Sequence, residues 1–107
     1  MVRISVLYPN KKGSRFDMEY YIDKHVPQSI RLLSAHPGFK GVSVEQGLGG
    51  GAPGSEAPFI AMCHFSFESV EAFLAAFLPH ASELQGDMPN YTDLTPVIQI
   101  NEILIST

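Results

Sequence analysis

Residues 2–35 decide the fold, because a strand pattern is followed by a turn and a long helical pattern: VRISVLYPNKKGSRFDMEYYIDKHVPQSIRLLSA. In residues 2–8 the side chains alternate with the period of two that is typical of a β-strand. Residues 9–14 have the composition of a turn. Asp17 is a good N-cap for a helix that we expect to run to about Ala35. Pro27 should bend or interrupt that helix, because proline has no amide hydrogen to donate.

The rest of the chain supplies three further strand patterns and one further helix. The strands are predicted at about residues 39–46, 59–67 and 97–105. Ser69 or Ser66 can cap the second helix, which Pro79 should break and which should end near Gln85, with residues 86–96 irregular. The order is β-α-β-β-α-β, the ferredoxin-like plan of an α+β fold with a four-stranded antiparallel sheet. Residues 1–107 therefore form a single domain.

The predicted strands carry apolar residues at both alternating positions. Two helices can cover only one face of the sheet, so the other face must be buried by something else. No further segment is left in the 107 residues. We therefore predict a homodimer in which the sheets of two copies pack against each other.

Composition argues against several classes of partner. A net charge of −4 with only seven Lys and Arg gives no electrostatic footprint for nucleic acid, and there is no basic amphipathic segment for a membrane. The longest apolar run, residues 72–78, is too short to cross a bilayer, and the N-terminus lacks the apolar core of a signal peptide. Cys63 is the only cysteine, which fits a reducing compartment. We expect a cytoplasmic protein with neither a nucleic-acid nor a membrane partner.

The sequence also predicts neither a metal nor another cofactor. The four histidines are widely spaced and form no His-x-His or His-Glu-x-x-His arrangement. Residues 47–52 match a G-x-G-x-x-A dinucleotide pattern, but residues 53–58 that follow cannot open the helix which that site requires. We interpret residues 47–58 as a mobile loop that could form a lid over a pocket.

Tyr21 and His25 are the most promising pair for chemistry. They lie four residues apart, so both project from the same face of the predicted helix. The imidazole can act as a general acid or base near neutral pH, and the tyrosine can orient it or hold a substrate oxygen. The alternative is a partly buried helix face on which His25 bonds a backbone carbonyl. His64, in the third strand, either bonds within the core or lines a cavity, while Cys63 points the opposite way.

A polar segment at residues 87–93 precedes the last strand. Asn90 and Tyr91 could supply hydrogen bonds to a ligand from this segment. The alternative is turn chemistry, in which Asn and Asp side chains bond the local backbone.

Taken together and in this order, these residues resemble the EthD family, which is named for a protein of ethyl tert-butyl ether degradation. The resemblance is carried by Tyr8-Pro9-Asn10, Gly13, Arg15-Phe16-Asp17, Tyr20-Tyr21, His25, Pro27, Gly41-Val42, the loop at 49–54, His64-Phe65, residues 69–73, residues 89–93 and Pro96. It implies a dimeric α+β barrel with a pocket between the sheet and the helices. Tyr21 and His25 would converge there, with His64 a candidate on the opposite wall.

The resemblance leaves the reaction open, because fold alone does not choose an activity. Barrels of this type include muconolactone isomerases, cofactor-free aromatic polyketide oxygenases and haem-degrading enzymes. EthD relatives include fungal proteins implicated in dehydration or decarboxylation of polyketide intermediates.

We expect a cofactor-independent isomerase, dehydratase or related enzyme acting on a hydrophobic cyclic or aromatic carbonyl compound in catabolism or secondary metabolism. His25 would move a proton α to the carbonyl, and Tyr21 or Asn90 would bond the developing oxyanion. The predicted catalytic residues are thus His25, Tyr21 and His64, and the predicted substrate-binding residues are Tyr8, Asn90 and Tyr91. The alternative is a non-catalytic accessory protein that binds a small apolar metabolite and assists an oxygenase system.

Overall fold

A computed structural model describes all 107 residues and has the predicted order β-α-β-β-α-β. Its strands are β1 (Val2–Pro9), β2 (Phe39–Gln46), β3 (Phe59–Phe67) and β4 (Val97–Glu102). They form one antiparallel sheet in the order β2-β3-β1-β4. The predicted fold class is confirmed, although β4 ends at Glu102 instead of near Ile105. None of the helices has the length and hydrophobicity needed to cross a membrane.

The first helix, residues 18–33, is continuous but changes its hydrogen-bond pattern in the middle. Its parts are α1 (Met18–Tyr20), a π-helical segment (Tyr21–His25) and α2 (Val26–Leu33). Asp17 caps it as predicted, because its Oδ1 accepts a hydrogen bond of 3.0 Å from the Tyr20 amide. The expected interruption at Pro27 is wrong. The turn before Pro27 widens instead, and the amide of Val26 bonds the carbonyl of Tyr21, five residues back.

The second helix, residues 70–90, is longer than predicted. Its parts are α3 (Val70–Phe77), a 3₁₀ turn (Leu78–His80), α4 (Ala81–Asp87) and a last 3₁₀ turn (Met88–Asn90). Ser69 caps it by accepting a hydrogen bond of 3.1 Å from the Ala72 amide. Pro79 and Pro89 each lie at the start of a 3₁₀ turn, where the amide has no partner within that turn and proline is tolerated. The expectation of irregular chain from residue 86 is therefore wrong as far as Asn90.

The two faces of the sheet differ in composition. On β3 the buried residues alternate at Ala61, Cys63, Phe65 and Phe67, and they face the helices. Two hydrophobic clusters fill the space between the sheet and the helices. One includes Leu33, Phe67 and Phe73, and the other includes Tyr8, Tyr21 and Tyr91.

The opposite face of the sheet carries no helix and is more mixed than the sequence predicts. We call it the open face. The strand register sets its side chains in rows. One row begins with the charged Glu45 on β2 and continues with three apolar residues, Met62, Leu7 and Val97, which we call the apolar row. The next row is polar and consists of Ser43, His64, Ser5 and Gln99. The prediction of apolar residues on both faces thus holds for only part of this surface.

Candidate functional site

A cavity of about 520 Å³ lies between the sheet and the two helices. Sites for small molecules commonly have volumes of about 300–1,000 Å³. Because 16 of the 21 lining residues are hydrophobic, the cavity suits a ligand with a largely apolar body. No residue of the loop at 47–58 lines this cavity, so the expectation that the loop forms its lid is wrong.

The cavity has an apolar end and a polar end, because it spans both hydrophobic clusters. At the apolar end its walls are aliphatic and phenylalanine side chains, namely Leu33, Phe65, Phe73 and Phe77. At the polar end its walls include Tyr8, Tyr21 and His25. A ligand that fills the cavity would therefore place its hydrogen-bonding group at the tyrosines and the histidine.

His25 is held at the polar end by a carboxylate partner, Asp87, that the sequence does not predict. Its Nδ1 lies 2.8 Å from Oδ2 of Asp87, which is at the end of α4. The imidazole of His25 also stacks on the ring of Tyr21, with centroids 5.9 Å apart and planes inclined by 16°. The prediction that Tyr21 and His25 share a helical face is confirmed, and the π-helical segment is what presents them.

Asp87 receives two further hydrogen bonds in addition to that of His25. The Tyr20 hydroxyl donates to its Oδ1 at 2.7 Å, and the Asn90 amide donates to the same oxygen at 2.9 Å. Burial raises the pKa of Asp87, but the hydrogen bonds from Tyr20, Asn90 and His25 outweigh it, and that pKa lies below its ordinary value. Asp87 is therefore a carboxylate at neutral pH, and a carboxylate only accepts hydrogen bonds.

This arrangement fixes the tautomer of His25. Because the Asp87 carboxylate only accepts, Nδ1 of His25 must carry the proton, and in the neutral imidazole Nε2 then has a free lone pair. Nε2 makes no hydrogen bond to the protein, yet no side-chain nitrogen or oxygen is both sealed from solvent and without a partner. His25 also lines the cavity. Nε2 is thus an accessible base at the polar end.

Tyr21 and Cys63 lie side by side on the cavity wall and both stay protonated. Burial raises the pKa of the Tyr21 phenol far above its ordinary value. Burial also raises the pKa of the Cys63 thiol to about 12, and the neighbouring Tyr21 hydroxyl opposes that rise only in part. Cys63 is therefore a small wall residue and not a thiolate nucleophile, as its position in the strand suggested.

The structure places Tyr8 at the cavity but Asn90 and Tyr91 beside it. Tyr8 lines the polar end, and its hydroxyl lies 2.6 Å from that of Tyr91. Tyr91 is fully buried behind it, with its ring 4.6 Å from that of His25. The Asn90 amide is engaged with Asp87 outside the cavity. Tyr8 thus lines the cavity, Tyr91 contacts the lining residues Tyr8 and His25, and Asn90 contacts Asp87.

His64 does not share the cavity with His25, so the expectation that it forms the opposite wall is wrong. Cys63 and Phe65 face the helices, and the alternation of the strand turns His64 to the open face. Both of its ring nitrogens have partners there. Nδ1 lies 2.7 Å from the Ser5 hydroxyl, and Nε2 lies 3.3 Å from Oε1 of Glu45.

A model of the EthD domain matches residues 14–95, which is most of the chain. The chain belongs to the EthD family. An EthD-like protein from Ralstonia eutropha JMP134 is 40% identical to this EthD protein, with a TM-score of 0.91 over 99% of this chain and 94% of that chain. No protein among the curated proteins matches.

Two more distant structures share the fold of this EthD protein. An ethyl tert-butyl ether D (EthD) family protein from Bacillus halodurans C-125 is 20% identical, with a TM-score of 0.64 over 97% of this chain and 99% of that chain. A hydroxynitrile lyase from Passiflora edulis is 23% identical, with a TM-score of 0.69 over 99% of this chain and 95% of that chain. These two likenesses concern the fold alone.

Proposed function

We propose that this EthD protein is a cofactor-independent enzyme that moves a proton next to the carbonyl group of a hydrophobic cyclic or aromatic compound. The observation that carries the proposal is the accessible Nε2 of His25, whose ring is oriented by Asp87 at the polar end of an apolar cavity. Such a reaction needs a base with a free lone pair, a carboxylate that fixes the tautomer of that base and a pocket for an apolar body.

The step follows from the position of the lone pair. Nε2 of His25 takes a proton from the carbon next to the carbonyl, the electrons of the C–H bond form a C=C bond, and the carbonyl π electrons move to oxygen. The electrons then return from the oxygen. In an unsaturated compound the double bonds shift and a more distant carbon takes the proton from the imidazolium, which gives an isomer. In a β-hydroxy compound the C–O bond breaks, and the hydroxyl takes the proton and departs as water. Asp87 stabilises the imidazolium through its hydrogen bond to Nδ1–H. General acid–base catalysis of this kind contributes about 10²- to 10⁴-fold to a rate.

Exchange of carbon-bound hydrogen in heavy water tests this step without a known substrate. The protein is incubated in D₂O with a panel of aryl ketones and aromatic lactones that carry hydrogen next to the carbonyl, and loss of that signal is followed by NMR. We expect exchange with the wild type and a fall of about 100-fold or more with His25→Gln. His64→Gln is the matched control, because His64 also pairs with a carboxylate, and it should exchange like the wild type.

The outcome also separates the enzyme from a non-catalytic accessory protein. Binding of a panel member, detected as a rise in the melting temperature, with no exchange in the wild type would favour the accessory role. Equal exchange by wild type and His25→Gln would contradict the assignment of the base. A variant that unfolds would show His25 to be structural, and circular dichroism of each variant covers that case.

We further propose that the protein is a homodimer that packs through the open faces of two sheets. The apolar row of Met62, Leu7 and Val97 supports this proposal, since Val97 is 49% exposed in the single chain. Sheets that pack face to face bury such rows against each other.

The dimer can be tested by sedimentation at micromolar concentration. Met62→Glu places a charge in the apolar row and should give a monomer. Lys24→Glu, on the exposed side of the first helix, should leave the dimer intact. A wild type that sediments as a monomer at about 100 μM, on the order of the dissociation constant of a weak complex, would contradict the proposal.

For the cellular setting we propose the cytoplasm. The single cysteine, Cys63, is buried and unpaired, which suits a protein that needs no disulfide for stability. Fractionation of the native host and detection with an antibody would test the location, and recovery outside the cytoplasm would contradict it.

A further inference from the structure

The hydrogen bond between the Tyr8 and Tyr91 hydroxyls determines which of the two can donate to a ligand oxygen. Their oxygens are 2.6 Å apart, and each hydroxyl has one hydrogen to donate. One of the two hydrogens lies between the oxygens. The other must point elsewhere, and the surroundings of the two residues decide which hydroxyl it belongs to.

Tyr91 has no second direction in which to donate. It is 0% exposed, it does not line the cavity, and its hydroxyl has no polar partner other than Tyr8. If Tyr8 donated to Tyr91, the hydrogen of Tyr91 would be buried without an acceptor, which costs about 1–3 kcal/mol. Tyr91 is therefore the donor of the pair, and Tyr8 is the acceptor.

The hydrogen of Tyr8 is then free, and Tyr8 is a cavity wall. Tyr8 is 2% exposed and lines the polar end. Its ring packs against Tyr21 and Tyr91, with centroids 5.6 Å and 6.0 Å away, and His25 packs against the same two rings. Tyr8, with its free hydrogen, and His25, with its free lone pair, thus line the same end of one cavity.

We propose that the Tyr8 hydroxyl, polarised by the hydrogen bond from Tyr91, is the donor that receives the carbonyl or enolate oxygen of the ligand. Tyr91 is the positioning residue of this pair, since it acts only through Tyr8. The proposal rests on the proposed proton transfer and adds to it the group that stabilises the developing oxyanion. It replaces Tyr21 and Asn90, which the sequence analysis favoured for that role.

The surroundings of Tyr8 support its role as a neutral donor. Burial raises the pKa of Tyr8 to about 12, and the hydrogen bond from Tyr91 opposes that rise. Tyr8 therefore keeps its hydrogen at neutral pH. A hydroxyl that already accepts a hydrogen bond also donates more strongly, because linked hydrogen bonds polarise one another. Such a donor would stabilise most strongly an oxygen that gains negative charge during the reaction.

The ligand class follows from these positions. It is a compound with a planar or cyclic apolar body and one oxygen that accepts from Tyr8, with an acidic C–H or O–H that His25 can bind. Phenols have this pattern and mimic an enol, so they bind without turnover. 4-Nitrophenol is a suitable probe, because its ionised form absorbs visible light and reports its own protonation in the site.

The experiment measures the dissociation constant of 4-nitrophenol and the ionised fraction of the bound probe at constant pH. Relative to wild type, Tyr8→Phe should weaken binding about tenfold and lower the ionised fraction. Tyr91→Phe should weaken binding about two- to threefold, because Tyr8 remains but is no longer polarised. Tyr21→Phe removes the competing donor on the same wall and should weaken binding less than Tyr8→Phe does, whereas the control Ser66→Ala on the open face should stay within about twofold of wild type.

The double variant Tyr8→Phe/Tyr91→Phe separates positioning from folding. It removes both hydroxyls, so neither is left buried without a partner, and it should bind the probe like Tyr8→Phe alone. An additional loss in the double variant would show that Tyr91 acts independently of Tyr8, and this would overturn its positioning role.

Failure of this proposal is distinct from failure of the proton transfer. If His25→Gln abolishes exchange while Tyr8→Phe binds the probe like wild type, the base stands and the Tyr8 donor is wrong. The donor is also wrong if Tyr21→Phe shows the tenfold loss, or if wild type binds no 4-nitrophenol at millimolar concentration. If Tyr8→Phe loses the probe but wild type exchanges no hydrogen, the donor stands and the enzyme assignment is wrong.

Discussion

The two faces of the sheet present the same pair of groups with opposite consequences. On the helix-covered side, His25 meets Asp87, and on the open face His64 meets Glu45. Both nitrogens of His64 have protein partners, whereas His25 keeps one nitrogen free toward an apolar cavity. A histidine next to a carboxylate is therefore not a site by itself. What matters is which ring nitrogen remains available and what surrounds it.

The strongest way to test the contrast between the faces is through stability. Phe67 is 0% exposed on the helix-covered side, and its neighbour Ser66 lies on the open face. Phe67→Ala should lower the free energy of unfolding by about 3–5 kcal/mol, because it leaves a cavity in a packed core. Ser66→Ala should change it by less than about 0.5 kcal/mol. Urea unfolding at one protein concentration measures both, and equal losses would mean that the open face is packed as tightly as the core.

The two carboxylates give the next test. Asp87→Asn keeps the shape of the side chain but removes the charge that stabilises an imidazolium at His25, so hydrogen exchange should fall by about 10- to 100-fold. Glu45→Gln makes the matching change beside His64 and should leave exchange within about twofold. Proton NMR in D₂O measures the rate of hydrogen exchange for both variants. If the two variants lose activity alike, the contrast between the two histidines has no functional meaning.

A smaller effect is expected in the dependence of stability on pH. The pKa of Asp87 is lower in the folded chain than its ordinary value of 3.8, so its carboxylate favours the folded state. That contribution is fully present above the ordinary pKa and is lost as the pH falls through the lower folded value. The stability difference between wild type and Asp87→Asn should therefore shrink as the pH falls below about 4. Urea unfolding at several pH values measures this stability difference. A difference that grows as the pH falls would contradict the stabilisation of the Asp87 carboxylate by its hydrogen bonds.

The fold could be predicted because its signals are local. Alternation in residues 2–8, the cap at Asp17 and the turn at residues 9–14 each lie within a few positions of the element they define. Tyr21 and His25 could be paired for the same reason, since one helical turn separates them. The structure alters the end of the second helix and the length of β4, where prolines and polar residues gave ambiguous boundaries.

The acidic partner of His25 could not be predicted, because the contact is not local. Asp87 lies 62 positions further along the chain, and no periodic pattern links the two residues. Gly86 and Pro89 on either side also indicated irregular chain, although both are accommodated in helical turns. Only the packing of the second helix against the first brings the carboxylate to the imidazole.

The face of His64 could have been predicted from a signal that was present. The alternation of Ala61, Cys63, Phe65 and Phe67 marks the buried side of β3, and His64 lies between two of these residues. A strand turns consecutive side chains to opposite faces, so a buried Cys63 requires His64 to point away from the helices. The alternation of these four apolar residues is sufficient to exclude His64 from the cavity.

The π-helical segment of the first helix sets the spacing of Tyr21 and His25 along the chain. Its wide turn holds one residue more than a regular turn, so the Val26 amide bonds a carbonyl five residues back instead of four. Deletion of the exposed Asp23 would close the wide turn to a regular one while α1 and α2 kept their relative positions. Tyr21 and His25 would then lie three residues apart, and the imidazole would no longer stack on the Tyr21 ring as it does in the wide turn. Exchange in D₂O should therefore fall in the deletion variant although neither Tyr21 nor His25 has been changed.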